Sequence, residues 1–144
     1  MANWLWIREN PAYWDEDKAR IVGAAPRGVF DSRYRRLQPG DLVPGEWWRV
    51  EERGRTVAFG WLDVTWSDAE VLVATHPEHR SLGLGTWVLE HLDDEARGRG
   101  LNYLTNLVRP THPERAWLVG WLEKRGFVPE EDGRLVRRVA PAAA

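Results

Sequence analysis

A chain of 144 residues, 43% hydrophobic and 29% charged, is long enough to fold as one domain with a substantial core. A net charge of −2 excludes the strong general attraction to nucleic acid that a basic surface would give. The absence of cysteine excludes disulfides, thiolate nucleophiles, cysteine zinc sites and acyl transfer through a cysteine thioester. No apolar run approaches the roughly 18 residues of a membrane span. Glu9, Asp15 and Glu16, close behind Trp4-Leu5-Trp6-Ile7, are unlike a signal peptide, so the expected location is cytoplasmic.

Residues 3–8 read as a first strand. Pro11 to Val22 reads as a helix, with Asn10 as N-cap, Pro11 at its first position and acids at 15–17 in its early turns. Pro26-Arg27-Gly28 breaks it, and Val29 to Leu37 reads as a second short helix ended by Gln38-Pro39-Gly40-Asp41. Two strands, Glu46 to Glu52 and Thr56 to Trp66, flank a hairpin turn at Arg53-Gly54. After Ser67-Asp68 comes a strand from Glu70 to Thr75, apolar on both faces through Val71-Leu72-Val73-Ala74, as a central strand should be. Thr86 to Arg97 carries a helical stripe of Val88, Leu89, Leu92 and Ala96, stopped by Gly98 and Gly100. Leu101 to Val108 reads as a strand and Pro113 to Arg125 as a helix with Trp117, Leu118, Trp121 and Leu122 apolar. Phe127-Val128 and Leu135 to Val139 form a last hairpin around Asp132-Gly133. The order β α α β β β α β α β β predicts an α/β fold with a mixed sheet.

Arg80-Ser81-Leu82-Gly83-Leu84-Gly85-Thr86 is a glycine-rich turn feeding a helix, the chemistry of an anion site. Glycines let the backbone approach a ligand, the helix N-terminus offers free N–H groups, and an arginine adds a forked cation. A nucleotide P-loop needs a lysine after its last glycine, and none of the glycines here is followed by one. A dinucleotide fingerprint needs a third glycine and a position after the first strand; Val88 and four preceding strands exclude it. What remains is Arg-x-x-Gly-x-Gly entered from a strand that ends in His76-Pro77.

His76-Pro77-Glu78-His79-Arg80-Ser81-Leu82-Gly83-Leu84-Gly85-Thr86 resembles the acetyl-CoA signature of the GNAT superfamily of N-acetyltransferases. Leu104 to Pro110 and Glu123-Lys124-Arg125-Gly126-Phe127 resemble that family's later strand and terminal helix-to-strand turn. The resemblance spans about Val57 to Val139 and rests on element order alone before that. It implies residues 1–139 as one GNAT-like domain and residues 140–144 as a frayed tail. The implied sheet is mixed and mostly antiparallel, flanked by helices on both faces, with a splayed central strand pair. Arg80, Ser81, Leu82, Gly83, Leu84, Gly85 and Thr86 would hold the CoA pyrophosphate. Val73, Ala74 and Thr75 would pair with the pantetheine amides, and Asn106 would lie near the thioester slot. The alternative for Arg80 is a surface cation paired with Glu78.

The implied reaction moves the acetyl group of acetyl-CoA directly to a primary amine, with no metal. Such transfer needs a base for the amine, a donor for the oxyanion and a route for the thiolate. Glu70 is the best-placed base, although it precedes Pro77 by seven residues where many family members have an even spacing. One residue flips a strand side chain to the other face, and a β-bulge would restore it. The family's tyrosine acid is replaced by Leu122, with Trp121 beside it. His112 and Tyr103 are the candidates to replace it, Tyr103 reading rather as core, and solvent release of a thiol of pKa near 8.5 is the alternative. His76 and His79 lack a third ligand, so no metal site is expected.

Ten tryptophans are spread along the chain. One reading is core plus one aromatic patch for a homodimer, with either Trp47 or Trp48 partly exposed because adjacent strand residues face opposite ways. The other is an aromatic acceptor pocket of Phe30, Tyr34, Trp47 and Trp61, with Asp31, Glu46 and Asp63 attracting a cationic amine. The expected acceptor is a small-molecule amine, with no nucleic-acid or membrane partner. The alternatives are a protein N-terminus or lysine as acceptor, or a module that binds CoA without turnover.

Overall fold

The computed structural model describes residues 3–80 and 83–140; Ser81, Leu82 and the last four residues of the expected tail lie outside them. Seven strands form one sheet: β1 (Trp4–Glu9), β2 (Glu46–Glu52), β3 (Arg55–Thr65), β4 (Asp68–Thr75), β5 (Tyr103–Asn106), β6 (Val128–Pro129) and β7 (Leu135–Arg138). Their order is β1-β2-β3-β4-β5-β7-β6, and the β4–β5 pair alone is parallel. The helices are α1 (Glu16–Lys18, continued by a π turn at Ala19–Gly23), α2 (Leu84–Gly98) and α3 (Arg115–Lys124). No helix of the described residues is long and apolar enough to cross a membrane.

Strand alternation sorts the sheet's side chains onto two faces. Trp48, Val50, Leu62, Ala69 and Val71 pack with Val88, Leu89 and Leu92 of α2 and Leu122 of α3. Gly60 lets α2 come this close, since a Cβ there would lie 2.6 Å from Val88 Cγ1. Trp47, Phe59, Trp61 and Ala74 pack on the other face against Trp14, Ile21, Val22 and Tyr34 of the N-terminal segment. Both faces are therefore covered, as expected.

The N-terminal cover departs from the expected two helices. Pro11 to Trp14 is extended, because Trp14 N–H donates to Asp41 O (2.7 Å) and Ala12 O accepts from Val43 N–H (2.9 Å). This non-local pairing overrides the local helix signal. The N-cap is Asp15, whose carboxylate accepts from Lys18 N–H at 2.8 Å. The second helix shrinks to a 3-10 turn at Ser32–Arg35, capped by Asp31. Lys18 is fully buried, with Nζ 2.8 Å from Glu9 and 3.3 Å from Asp15. Arg49 reaches the same two acids at 2.8 and 2.7 Å. These charges tie the cover to β1 and β2.

The tryptophan expectations are corrected. Trp47 and Trp48 are both buried, because each sheet face carries a cover. Trp47 stacks on Trp61 at 4.1 Å between ring centroids and 6° between planes, and both are fully buried. They form the floor of the cover's core and offer an acceptor no open pocket. Trp61→Ala should therefore lower stability by about 3–5 kcal/mol. Urea unfolding followed by circular dichroism checks this.

Candidate active site

β4 and β5 pair over three rungs, Asp68↔Tyr103, Ala69↔Leu104 and Glu70↔Thr105, and then part. β4 continues to Thr75, paired with β3 on its other side. Asn106 Nδ2 donates to Val71 O at 2.7 Å, just above the fork. That bond shows which way Val71's main chain faces. Alternation turns the amide and carbonyl of Val73 and Thr75 the same way, into the slot between the parted strands. The main chain of Ala74 faces β3 instead, which removes it from the edge expected to pair with pantetheine. An unpaired strand edge is a template for an extended ligand carrying amides.

The slot leads to the start of α2. A 3-10 turn, Pro77–His79, follows β4, with His76 Nδ1 accepting from Glu78 N–H at 3.2 Å. His79 faces Glu52 at 3.3 Å, so both histidines have local roles. Arg80 is exposed and closes that turn. Gly83 takes φ +79, a left-handed conformation suited to glycine, and no side chain caps the helix it starts. The first N–H groups of α2, at Leu84, Gly85 and Thr86, are thus free of a side-chain cap. With the helix dipole they suit an anion, and the residues present fit a CoA pyrophosphate.

Glu70 stands at the fork. The β3–β4 register runs without a break from Asp68 to Thr75, so β4 carries no bulge; the sheet's shift lies at Val50/Glu51. Glu70 shares its face with Leu72 and Ala74, under the N-terminal cover, directly opposite Asp63. Burial pushes its carboxyl above the usual range; the Leu107 N–H opposes this, the Asp63 charge adds to it, and Arg109 and Arg33 oppose it. Burial also raises Asp63, against the pull of Arg33, whose guanidinium lies 3.7 Å away.

Two clasps close this side. Arg109 pairs with Asp31 at 3.2 Å, and Gly28, at φ +91, lies so close to Thr111 that a Cβ would be 2.3 Å from its carbonyl oxygen. Together they join the N-terminal cover to the segment after β5. Of the other expected acids, Glu46 points to the α2 face, bonded to Arg99 and Arg8, and so leaves the acceptor side.

His112 sits in the same segment, its Nδ1 accepting from Glu114 N–H at 2.9 Å. Burial lowers its pKa, with Glu114 opposing. Tyr103 is 41% exposed and begins β5, two residues before Glu70's partner Thr105. It is not a core residue.

Sequence reasoning missed the cross-strand pairing of Asp63 with Glu70, although the turn at Trp66-Ser67 fixes it: Thr65 meets Asp68, so Asp63 meets Glu70. Arg33 was missed too, and no local motif marks it; Thr105 and Arg109 lie in the Leu104–Pro110 stretch but were given no role.

The model of the acetyltransferase (GNAT) domain matches residues 44–129. That is more than half of the chain, which therefore belongs to the GNAT acetyltransferase family. No curated protein sequence matches it. Among solved structures it is similar to the ribosomal-protein-S18-alanine N-acetyltransferase of Escherichia coli, with 20% identity and a TM-score of 0.64 over 98% of this chain and 97% of that one. An acetyltransferase of the GNAT family from Desulfovibrio desulfuricans aligns with 15% identity and a TM-score of 0.68, covering 96% of this chain and all of that one. N-acetylglutamate synthase from Neisseria gonorrhoeae, complexed with coenzyme A and N-acetyl-glutamate, gives 20% identity and a TM-score of 0.68. There the match covers 94% of this chain and 35% of the synthase. At these identities the likeness establishes the fold.

The Gly28 clasp can be opened by one atom. Gly28→Ala adds a clashing Cβ at a left-handed position and should cost about 2 kcal/mol. Differential scanning calorimetry should show a Tm several degrees lower, while CoA affinity by titration calorimetry stays within twofold.

Proposed function

We propose that this chain transfers the acetyl group of acetyl-CoA directly to a primary amine of a small molecule. The observation that carries the reading is Glu70, a half-buried carboxylate on the last paired rung before the slot opens. In this reading Val73 and Thr75 pair with the pantetheine amides. The start of α2, from Gly83 to Thr86, holds the pyrophosphate with Arg80, Ser81 and Leu82 completing the loop. Asn106 keeps the fork open by occupying Val71 O.

The acceptor arrives as an ammonium, drawn by the paired carboxylates of Asp63 and Glu70. Glu70 takes its proton, and a carboxyl raised by burial is a stronger base than an exposed one. The freed amine forms a C–N bond at the thioester carbonyl, and the C–S bond breaks. The slot-side N–H of Val73, the first on β4 beyond the last paired rung, meets the negative charge that develops on the oxygen. The thiolate leaves at the inner end of the slot and takes, through solvent, the proton that the new amide nitrogen sheds. His112, held neutral by its lowered pKa, enters as a hydrogen-bond donor through Nε2. The Asp31–Arg109 and Gly28–Thr111 clasps narrow the approach to Glu70, which supports a small acceptor over a polypeptide. A cytoplasmic location belongs to the same reading, as does a homodimer through the exposed Trp117.

One observation favours a second reading. Leu122 is buried in the core and offers no acid where family members often carry tyrosine, as a CoA-binding module without turnover would allow. Thiol release from acetyl-CoA over a panel of amines, beside thermal shift with CoA, separates the two. Turnover on any amine supports the enzyme, stabilisation without turnover supports the binder, and no stabilisation contradicts both.

Glu70→Gln should lower kcat at least a hundredfold with little change in acetyl-CoA KM. The wild-type kcat/KM should rise with pH through an inflection above the ordinary carboxylate range, and the variant should lose that inflection. Stability should move the opposite way. Because the folded pKa is raised, ionised Glu70 costs stability above its folded pKa and nothing below its unfolded one. The variant should therefore melt higher than wild type at neutral pH, and the gap should close in acid.

A further inference from the structure

We propose that Arg125 is a donor-binding residue that acts through Thr86, orienting its hydroxyl and bringing a positive charge to the diphosphate held at the start of α2. The inference rests on the donor site described above and adds a residue from the far end of α3.

Arg125 follows α3 directly, 39 residues from Thr86 in sequence. Its Nε and Nη2 both donate to Thr86 Oγ1, at 3.0 and 2.7 Å. Its Nη1 donates to Trp121 O at 2.9 Å, and the guanidinium carbon lies 3.9 Å from the centre of the Trp121 ring. Trp121 in turn backs the phosphate loop, since a Cβ on Gly85 would lie 3.4 Å from its Cζ2. Arg137 holds the Arg125 carbonyl at 2.8 Å. The guanidinium is thus fixed from three sides against the first turn of α2.

Two features make this an anion site as well as a brace between helices. A hydroxyl has two acceptor sites and one proton. Thr86 accepts twice from Arg125, so its proton is directed away from the guanidinium, in the turn whose backbone N–H groups have no side-chain cap. A hydroxyl bonded to a cation is a strengthened donor, because each bond polarises the next. The arginine's charge is also unspent. Arg49, Arg97, Arg109 and Arg137 each meet a carboxylate within 3.2 Å. Among the described residues Arg125 forms no ion pair; burial lowers its pKa, and the charge of Glu90 opposes this. A diphosphate supplies the anion this geometry lacks.

The test is a set of dissociation constants for CoA, dephospho-CoA (no 3′-phosphate) and pantetheine (no phosphate), by calorimetry for the first two and NMR titration for the third. Wild type is compared with Arg125→Gln, Thr86→Val, their double variant and Arg125→Lys, each first shown to melt as a folded protein. Each single change should weaken CoA and dephospho-CoA alike, by about tenfold, and leave pantetheine unchanged. The double variant should be no weaker than the weaker single one, and lysine should restore part of the loss. The CoA affinity of Arg125→Gln should also depend less steeply on salt, because one cation is gone. Unchanged CoA affinity, or an equal loss for pantetheine, would leave Arg125 as a helix brace and overturn the proposal. So would a loss seen with CoA and absent with dephospho-CoA, which assigns the charge to the 3′-phosphate. Failure of wild type to bind CoA at all would defeat the donor site itself, a result distinguishable from these.

Discussion

The parting of β4 from β5 after Glu70 and Thr105 is the constraint on which the rest of this molecule depends. Two neighbouring strands that stop pairing leave main-chain donors and acceptors without partners, a costly arrangement unless something else supplies them. Here the side chain of Asn106 supplies one, at Val71 O. In the proposed reading the slot-side groups of Val73 and Thr75 pair with a ligand that has amides of its own. The same parting brings the end of β4 to the uncapped start of α2, so an extended chain lying in the slot meets an anion site at its far end. It also sets Glu70 at the slot's inner end.

Holding the fork open requires a stiff sheet on either side of it. Packing supplies this on both faces. The α2 face is pressed close by the notch at Gly60. The other face is floored by the Trp47–Trp61 stack and held down by the buried Lys18 with Glu9, Asp15 and Arg49. A buried charge network of this kind contributes position more than net stability, since desolvation offsets much of its attraction. Its position matters because the same cover carries Arg33 and Asp31 to the rim above Glu70.

Where function depends on short-range pattern, the sequence was a sufficient guide. Gly83, the apolar run through Val71 to Ala74 and the helical stripe from Val88 to Ala96 each have a local physical cause and lie where expected, while Gly85 falls inside α2, which begins two residues before the expected start. The N-terminal cover was misread because its helix signals, Asn10-Pro11 and the acids at 15–17, compete with pairing to residues 41–43. That pairing wins through contacts about thirty residues away, which no local window contains. Trp47 and Trp48 were misread for the same reason: alternation says that they face opposite ways, and only the tertiary fold says that both faces are covered. The bond from Arg125 to Thr86 is the extreme case, since nothing near either residue announces the other.

Amide hydrogen exchange at three adjacent residues tests the central claim most directly. In the protein alone, the N–H of Ala74 faces β3 and should exchange slowly, while those of Val73 and Thr75 face the slot and should exchange faster. Addition of CoA should protect Val73 and Thr75 and leave Ala74 as it was. If Val73 and Thr75 are already protected without CoA, or stay unprotected when it is bound, the fork between β4 and β5 is not the donor site.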